Sequence, residues 1–285
     1  MKLIGYVHLI RPVNCLMMGF AVIVGAVLVS QSYSDMLLAN LVYGFFTGFA
    51  LTAASMVIND YCDREIDAIN EPTRPIPSSL VQPKEALILA SVLTTMGLIA
   101  AVFTNTANTF CFFTAIVSWM TSVCYATVGK RRGLLGNFLV SACVAVPFIY
   151  GSLAATSTVK SNVLVFVCIV FFANTGREVT KGIVDIEGDK LRNIETVAAR
   201  YGARNAAFTS VFFYSVAVLL SPLPLLLNLV SIWFVPLVII TDVGFATSSL
   251  MIIKNCSRGN ARKVKQMILL WFLVGLLGFI FGAIL

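Results

Sequence analysis

Apolar runs of about twenty residues, separated by short polar or charged breaks, recur along the whole chain. Each matches the length an α-helix needs to cross the roughly 30 Å hydrocarbon core of a bilayer. Nine runs are legible, at 13–30, 37–58, 86–104, 108–128, 134–154, 161–178, 205–227, 229–253 and 266–285. A backbone in lipid must satisfy its own hydrogen bonds, so the runs read as helices and the chain as an all-α polytopic membrane protein with nine transmembrane helices. The first run follows Lys2 and Arg11 in the manner of a secretory signal, but eight more apolar runs follow it, so it reads as a retained span.

Charge then orients the pattern. If even-numbered spans return to the side of the N-terminus, that side receives the N-terminal segment and the breaks at 59–85, 129–133, 179–204 and 254–265. Counting Arg177 with the third of these, it holds every one of the 20 Lys and Arg residues except Lys160. By the positive-inside rule this side is cytoplasmic, which puts the N-terminus in the cytoplasm and the chain in the cell membrane. Of the 13 acids only Asp35 and Asp242 fall elsewhere, so the chemistry is expected at the cytoplasmic face. Topology and attraction to anionic membrane lipids account for the net charge of +7, which gives no reason to invoke nucleic acid. With 59% hydrophobic and 12% charged residues, a single soluble core is excluded. The seven cysteines lack paired spacing and read as small apolar fillers.

Two acidic clusters break the apolar pattern. In NDYCDREIDAINEPTRP at 59–75, Asn59, Asp63 and Asp67 are spaced i, i+4, i+8, and Asp60 flanks the stripe they form if the second span's helix continues past the membrane. Pro72, Pro75 and Pro77 would then stop that helix. In REVTKGIVDIEGDK at 177–190, Asp185 and Asp189 repeat the i, i+4 spacing, with Glu178 and Lys181 on nearly the same face. Four spans separate the two clusters. This suggests two parallel four-helix units plus a ninth helix, in one transmembrane domain with a pseudo-repeat of 1–133 and 134–265.

A solvated juxtamembrane face is the bland reading of such acids. Acids at a helix C-terminus oppose the macrodipole, and like charges stacked at i, i+4 repel by roughly 4 kcal/mol at 4 Å and an effective dielectric of about 20. A shared divalent cation reverses that sign. Oxygen ligands without His or Cys select a hard cation, and Mg²⁺ is held by one or two carboxylates together with substrate phosphates. A diphosphate at the surface of a helical bundle containing 21 Phe residues suits an isoprenyl diphosphate, whose apolar tail lies in the membrane. No Ser/His/Asp arrangement is available, because His8 is the chain's single histidine.

These residues resemble the UbiA-type intramembrane prenyltransferases. NDYCDREID is similar to that family's NDxxDxxxD signature and DIEGD to its second DxxxD motif. Arg11, Pro12 and Asn14, Arg74 and Pro75, and Tyr125 with Lys130 extend the likeness over nearly the whole chain. The resemblance implies that Asn59, Asp63, Asp67, Asp185 and Asp189 hold Mg²⁺, with Asp60 in support. It also implies that Arg74, Lys130 and Lys181 hold diphosphate oxygens, that Tyr125 lies near the reacting carbon, and that Arg11 and Asn14 lie near the acceptor. Within the family the two runs look most like the archaeal ether-lipid branch. There a geranylgeranyl group passes from its diphosphate to the free glycerol hydroxyl of geranylgeranylglyceryl phosphate, a lipid-phosphate acceptor, and no protein partner is required. An aromatic acceptor, such as 4-hydroxybenzoate or a quinone precursor, is the alternative. One departure stands at Gly182, where many relatives carry another acid.

Competing readings stay beside these. Arg11 and Lys130 also suit interfacial anchors, and Asn14 suits helix packing. Asp242, near mid-bilayer, must face the bundle, either pairing with a neighbouring helix or lining the cavity. The basic run of Lys254, Arg258, Arg262, Lys263 and Lys265 reads as topology charge or as a means of recruiting a phosphate-bearing acceptor. A secondary transporter would place its polar site near the midplane, away from where these acids lie. A CDP-alcohol phosphotransferase would need a DGxxAR run that the chain lacks.

Overall fold

The computed structural model describes residues 2–30, 38–191 and 194–284. Its helices are α1 (Lys2–Ile10), α2 (Pro12–Val27), α3 (Leu38–Asn70), α4 (Pro83–Phe103), α5 (Phe110–Thr127), α6 (Leu134–Thr156), α7 (Ser161–Leu191), α8 (Val197–Leu220), α9 (Leu223–Leu226), α10 (Phe234–Lys254) and α11 (Arg258–Ile284). A 3₁₀ turn, Gly129–Arg132, joins α5 to α6. Among the described residues eight spans are long and apolar enough to cross a membrane, and α1 with α2, bent by 41°, make a ninth when taken together. The chain is an all-α, multi-pass membrane protein. The expected positions of Asp35, of Arg192, of residue 37 opening the second span and of residue 285 closing the ninth lie outside the described residues.

Helices differ from the expected spans mainly at their polar ends. Hydropathy ends a span where charge begins, but Asp, Glu, Lys and Arg carry little penalty in a helix, so the hydrogen-bonded ladder runs on. At 33 residues α3 is about 50 Å long, some 20 Å more than the hydrocarbon core, and α7 at 31 residues overshoots almost as far. Pro72 ends the first extension, the last backbone bond being Glu71 N–H to Asp67 O at 2.8 Å. Three other helices begin ahead of their apolar runs. Pro83 opens α4, where the Glu85 carboxylate accepts the Gln82 N–H at 3.0 Å. Thr196 caps α8, in which Gly202 at φ 85° interrupts the first turns. The ninth span starts at Arg258, within the basic run.

By its contacts the chain divides into two compact units, Met1–Gly129 with Val146–Val159 and Lys130–Ala145 with Lys160–Leu285. The first half of α6 belongs to the second of these units and its second half to the first.

In the first unit α3 is central and packs against α1, α2, α4 and α5. Val22, Leu51, Ala101, Tyr150 and Leu153 form one core, and Leu9, Val57, Ile76 and Val81 another beneath the polar end of α3. Gly25 and Gly151 bring α2 and α6 into backbone contact, since a Cβ on either would strike the facing main chain. At the far end, Asn105 Nδ2 donates to Leu153 O at 2.9 Å and Ser157 Oγ at 2.8 Å, and its N–H donates to Asn40 Oδ1 at 3.1 Å. In the second unit α7 packs on α8 and α11 around Val179, Ile183, Tyr214, Phe245 and Ile268. The Trp271 indole lies over Gly244 of α10 and donates to Ser248 Oγ at 3.1 Å.

Candidate active site

In the first unit the extension of α3 presents its acids as the spacing predicts. Asn59 Nδ2 donates to Asp63 Oδ2 at 2.9 Å, one turn on. Asp67 continues the stripe but is only 5% exposed, and Arg74 Nη1 donates to its Oδ2 at 2.5 Å. The turn after α3 delivers that arginine. Arg74 N–H donates to Glu71 O at 3.0 Å, and Ser78 Oγ and N–H both return to Arg74 O, at 2.7 and 3.0 Å.

Asp60, expected to support the metal, is engaged differently. It is 3% exposed, and its Oδ1 accepts from Arg11 Nη2 at 2.5 Å and from Arg74 Nη1 at 3.4 Å. Arg11 stands at the 41° bend between α1 and α2, with φ 53° and ψ 69°. A non-glycine residue in that left-handed region costs about 1–3 kcal/mol, which the ion pair helps offset. Arg11 is thereby paired with an acid of the α3 extension. Asn14 lies one turn into α2, half-buried, its N–H donating to Arg11 O at 3.0 Å. Tyr125 lies in the last turn of α5.

In the second unit Asp189 is buried and accepts from Thr196 Oγ1 at 3.0 Å, while Thr196 Oγ1 in turn accepts Ala199 N–H at 3.2 Å. Asp185 is half-buried one turn earlier. Lys181 Nζ donates to Glu178 Oε2 at 3.4 Å and Arg177 Nη1 to Glu178 Oε1 at 3.1 Å. Glu178 is thus a buried carboxylate between two cations, which fixes Lys181 on the face of α7 below Asp185. Lys130 belongs to the 3₁₀ turn of this unit. Sequence reading missed Thr196. Its only signal was a threonine just before a helix-forming stretch, inside a segment assigned to a loop.

Two charged groups outside the acidic stripes have partners of their own. Ser221, at the end of α8, donates to Asp242 Oδ2 at 2.6 Å, so Asp242 pairs with a neighbouring helix end. Arg258 of the basic run reaches Glu187 at 3.4 Å, an exposed pair of little energetic weight.

The UbiA prenyltransferase pattern matches residues 18–283. The chain belongs to the UbiA prenyltransferase family. It is 33% identical to the digeranylgeranylglyceryl phosphate synthase of Methanocaldococcus jannaschii over 99% of this chain and 97% of that one. Against the synthase of the same name from Hyperthermus butylicus it is 32% identical over 98% and 96%. A solved digeranylgeranylglyceryl phosphate synthase superposes with a TM-score of 0.74 at 30% identity, covering 99% of both chains. A UbiA homologue from Archaeoglobus fulgidus bound to GPP and Mg²⁺ has the same fold, with a TM-score of 0.62 at 15% identity over 96% and 99%. The two acidic extensions are therefore the polar ends of a UbiA-type prenyltransferase, an enzyme fold.

Among the described residues no three His, Cys, Asp or Glu side chains converge as a closed metal cage. The donor set still fits Mg²⁺. Asn59 with Asp63, and Asp185 with Asp189, are oxygen donors stacked one turn apart, and Mg²⁺ is ordinarily completed by phosphate and water around one or two carboxylates.

Proposed function

We propose that this chain transfers a geranylgeranyl group from geranylgeranyl diphosphate to the free glycerol hydroxyl of geranylgeranylglyceryl phosphate, at the cytoplasmic face of the cell membrane. The observation that carries the reading is likeness over nearly the full length, at 30–33% identity, to proteins named digeranylgeranylglyceryl phosphate synthase.

In this reading Asn59, Asp63, Asp67, Asp185 and Asp189 hold Mg²⁺. When bound, the metal neutralises the charge that develops on the leaving diphosphate. Arg74, Lys130 and Lys181 bind diphosphate oxygens, orient the allylic carbon–oxygen bond and stabilise the departing anion. Tyr125 offers an aromatic face to the positive charge left on the allylic carbon, and the surrounding apolar helices exclude water from it. Arg11 and Asn14 lie towards the acceptor. The allylic carbon–oxygen bond breaks with its electron pair leaving on diphosphate. The glycerol oxygen then bonds to that carbon and releases its proton, so an ether, diphosphate and one proton are the products. The internal repeat of 1–133 and 134–265 belongs to the same reading. No second protein is needed.

Product analysis tests this. Purified protein is given geranylgeranyl diphosphate and Mg²⁺ with an equimolar mixture of geranylgeranylglyceryl phosphate and 4-hydroxybenzoate, and the products are resolved by mass spectrometry. The expected product is the diether phosphate. A prenylated arene with no diether would reassign the acceptor while leaving the prenyl donor in place.

A further inference from the structure

Asp60 does not behave like its neighbours in the acidic run. At 3.6 residues per turn Asp60 stands about 100° around α3 from Asn59 and about 60° from Asp63, but within about 20° of Asp67, with which it shares Arg74. Asp67 meets one guanidinium through Oδ2. Asp60 receives two at a single oxygen, from elements that flank α3 in sequence: Arg11 at the α1–α2 bend and Arg74 in the turn after α3. Arg11 is further held by Met56, Nη1 standing 3.6 Å from its sulfur. The carboxylate is buried, but the two arginine side chains are 31% and 26% exposed. The acid is thus sealed beneath the cations, which stay partly exposed.

We propose that Asp60 is a positioning residue, not a metal ligand. It seats Arg11 and Arg74 as a paired fork for the phosphate group of a substrate, and it holds the α1–α2 elbow in its left-handed turn. A ligand role would set a divalent cation beside two guanidiniums already gathered on the same buried carboxylate, where like charges repel. As a seat, the same carboxylate fixes two planar, partly exposed guanidiniums, the donor type that suits phosphate oxygens. That the anion belongs to a prenyl diphosphate or to a lipid-phosphate acceptor rests on the prenyl-transfer reading. The separation of Asp60 from the metal does not.

The test uses the full-length protein in nanodiscs, with Mn²⁺ as the spectroscopic stand-in for Mg²⁺. Asp60→Asn should bind Mn²⁺ in the presence of pyrophosphate within about twofold of wild type, whereas Asp63→Asn should weaken it by about tenfold or more. Asp60→Asn should also raise KM for one phosphate-bearing substrate by about tenfold with a smaller change in kcat. A rise for the prenyl diphosphate assigns the fork to the donor, and a rise for the lipid phosphate assigns it to the acceptor. Amide exchange across residues 7–15 should quicken as the elbow loosens. If Asp60→Asn does not fold, Arg11→Gln should reproduce the KM signature. Mn²⁺ binding lost in Asp60→Asn as far as in Asp63→Asn would make Asp60 a ligand and overturn the proposal, as would unchanged KM values with unchanged exchange. If Asp63→Asn and Asp185→Asn both bind Mn²⁺ like wild type, the metal assignment fails instead, and KM and exchange alone decide the role of Asp60.

Discussion

Thr196 Oγ1 donates to Asp189 at 3.0 Å and accepts the Ala199 N–H at 3.2 Å, so one hydroxyl both orients a buried carboxylate and starts α8. Thr196→Val should lose both bonds. The missing cap should cost about 1 kcal/mol of stability, read as a lower Tm. The loosened carboxylate should raise the Mg²⁺ concentration needed for half-maximal turnover by about tenfold. Thr196→Ser should restore both quantities. A Tm loss with an unchanged Mg²⁺ requirement would leave the hydroxyl as a cap alone.

Asp63→Ala and Asp185→Ala come from different units, and each should abolish Mg²⁺-dependent turnover while the protein stays folded in detergent. Chelation of wild type should do the same and added Mg²⁺ should reverse it. Activity that survives in either variant, or in chelator, would remove the metal from the reaction.

Asn105→Ala should separate stability from chemistry. The side chain is buried at the end of the first unit remote from the acids and supplies two donors to Leu153 O and Ser157 Oγ. Its loss should destabilise by about 1–3 kcal/mol through unsatisfied buried acceptors. Thermal unfolding should register this, with KM and Mg²⁺ dependence unmoved.

Two glycines should respond in opposite directions. A Cβ at Gly244 would enter the Trp271 ring, so Gly244→Ala should lower stability by about 1–3 kcal/mol. Gly259 has nothing within 4 Å of its would-be Cβ and lies in the first turn of α11, so Gly259→Ala should be neutral or stabilising by up to about 1 kcal/mol. Paired melting curves check both.

Hydropathy alone located the membrane spans, though not α1, because apolar length is a strong signal, but it placed their ends where charge begins. That is why α3 and α7 read as spans ending near 58 and 178, although the i, i+4 spacing of Asn59, Asp63 and Asp67 already implied a continuing helix. Residue types pointed to the acidic patches. Partners did not follow from them: that Asp60 would face two arginines depends on the bend at Arg11 and the turn after Asn70, neither of which has a periodic signature. Thr196 was hidden for a similar reason, since a single capping hydroxyl leaves only a faint local mark and its second partner, Asp189, is fixed by the fold.

The overhang of α3 couples the site to the thickness of its surroundings. The acids stand on a rod whose lower part is fixed by hydrocarbon, so a thicker bilayer must tilt the rod, thin itself around it or draw Asn59 and Asp63 towards acyl chains. Catalytic rate in vesicles of graded acyl length should therefore peak at one thickness and fall on both sides.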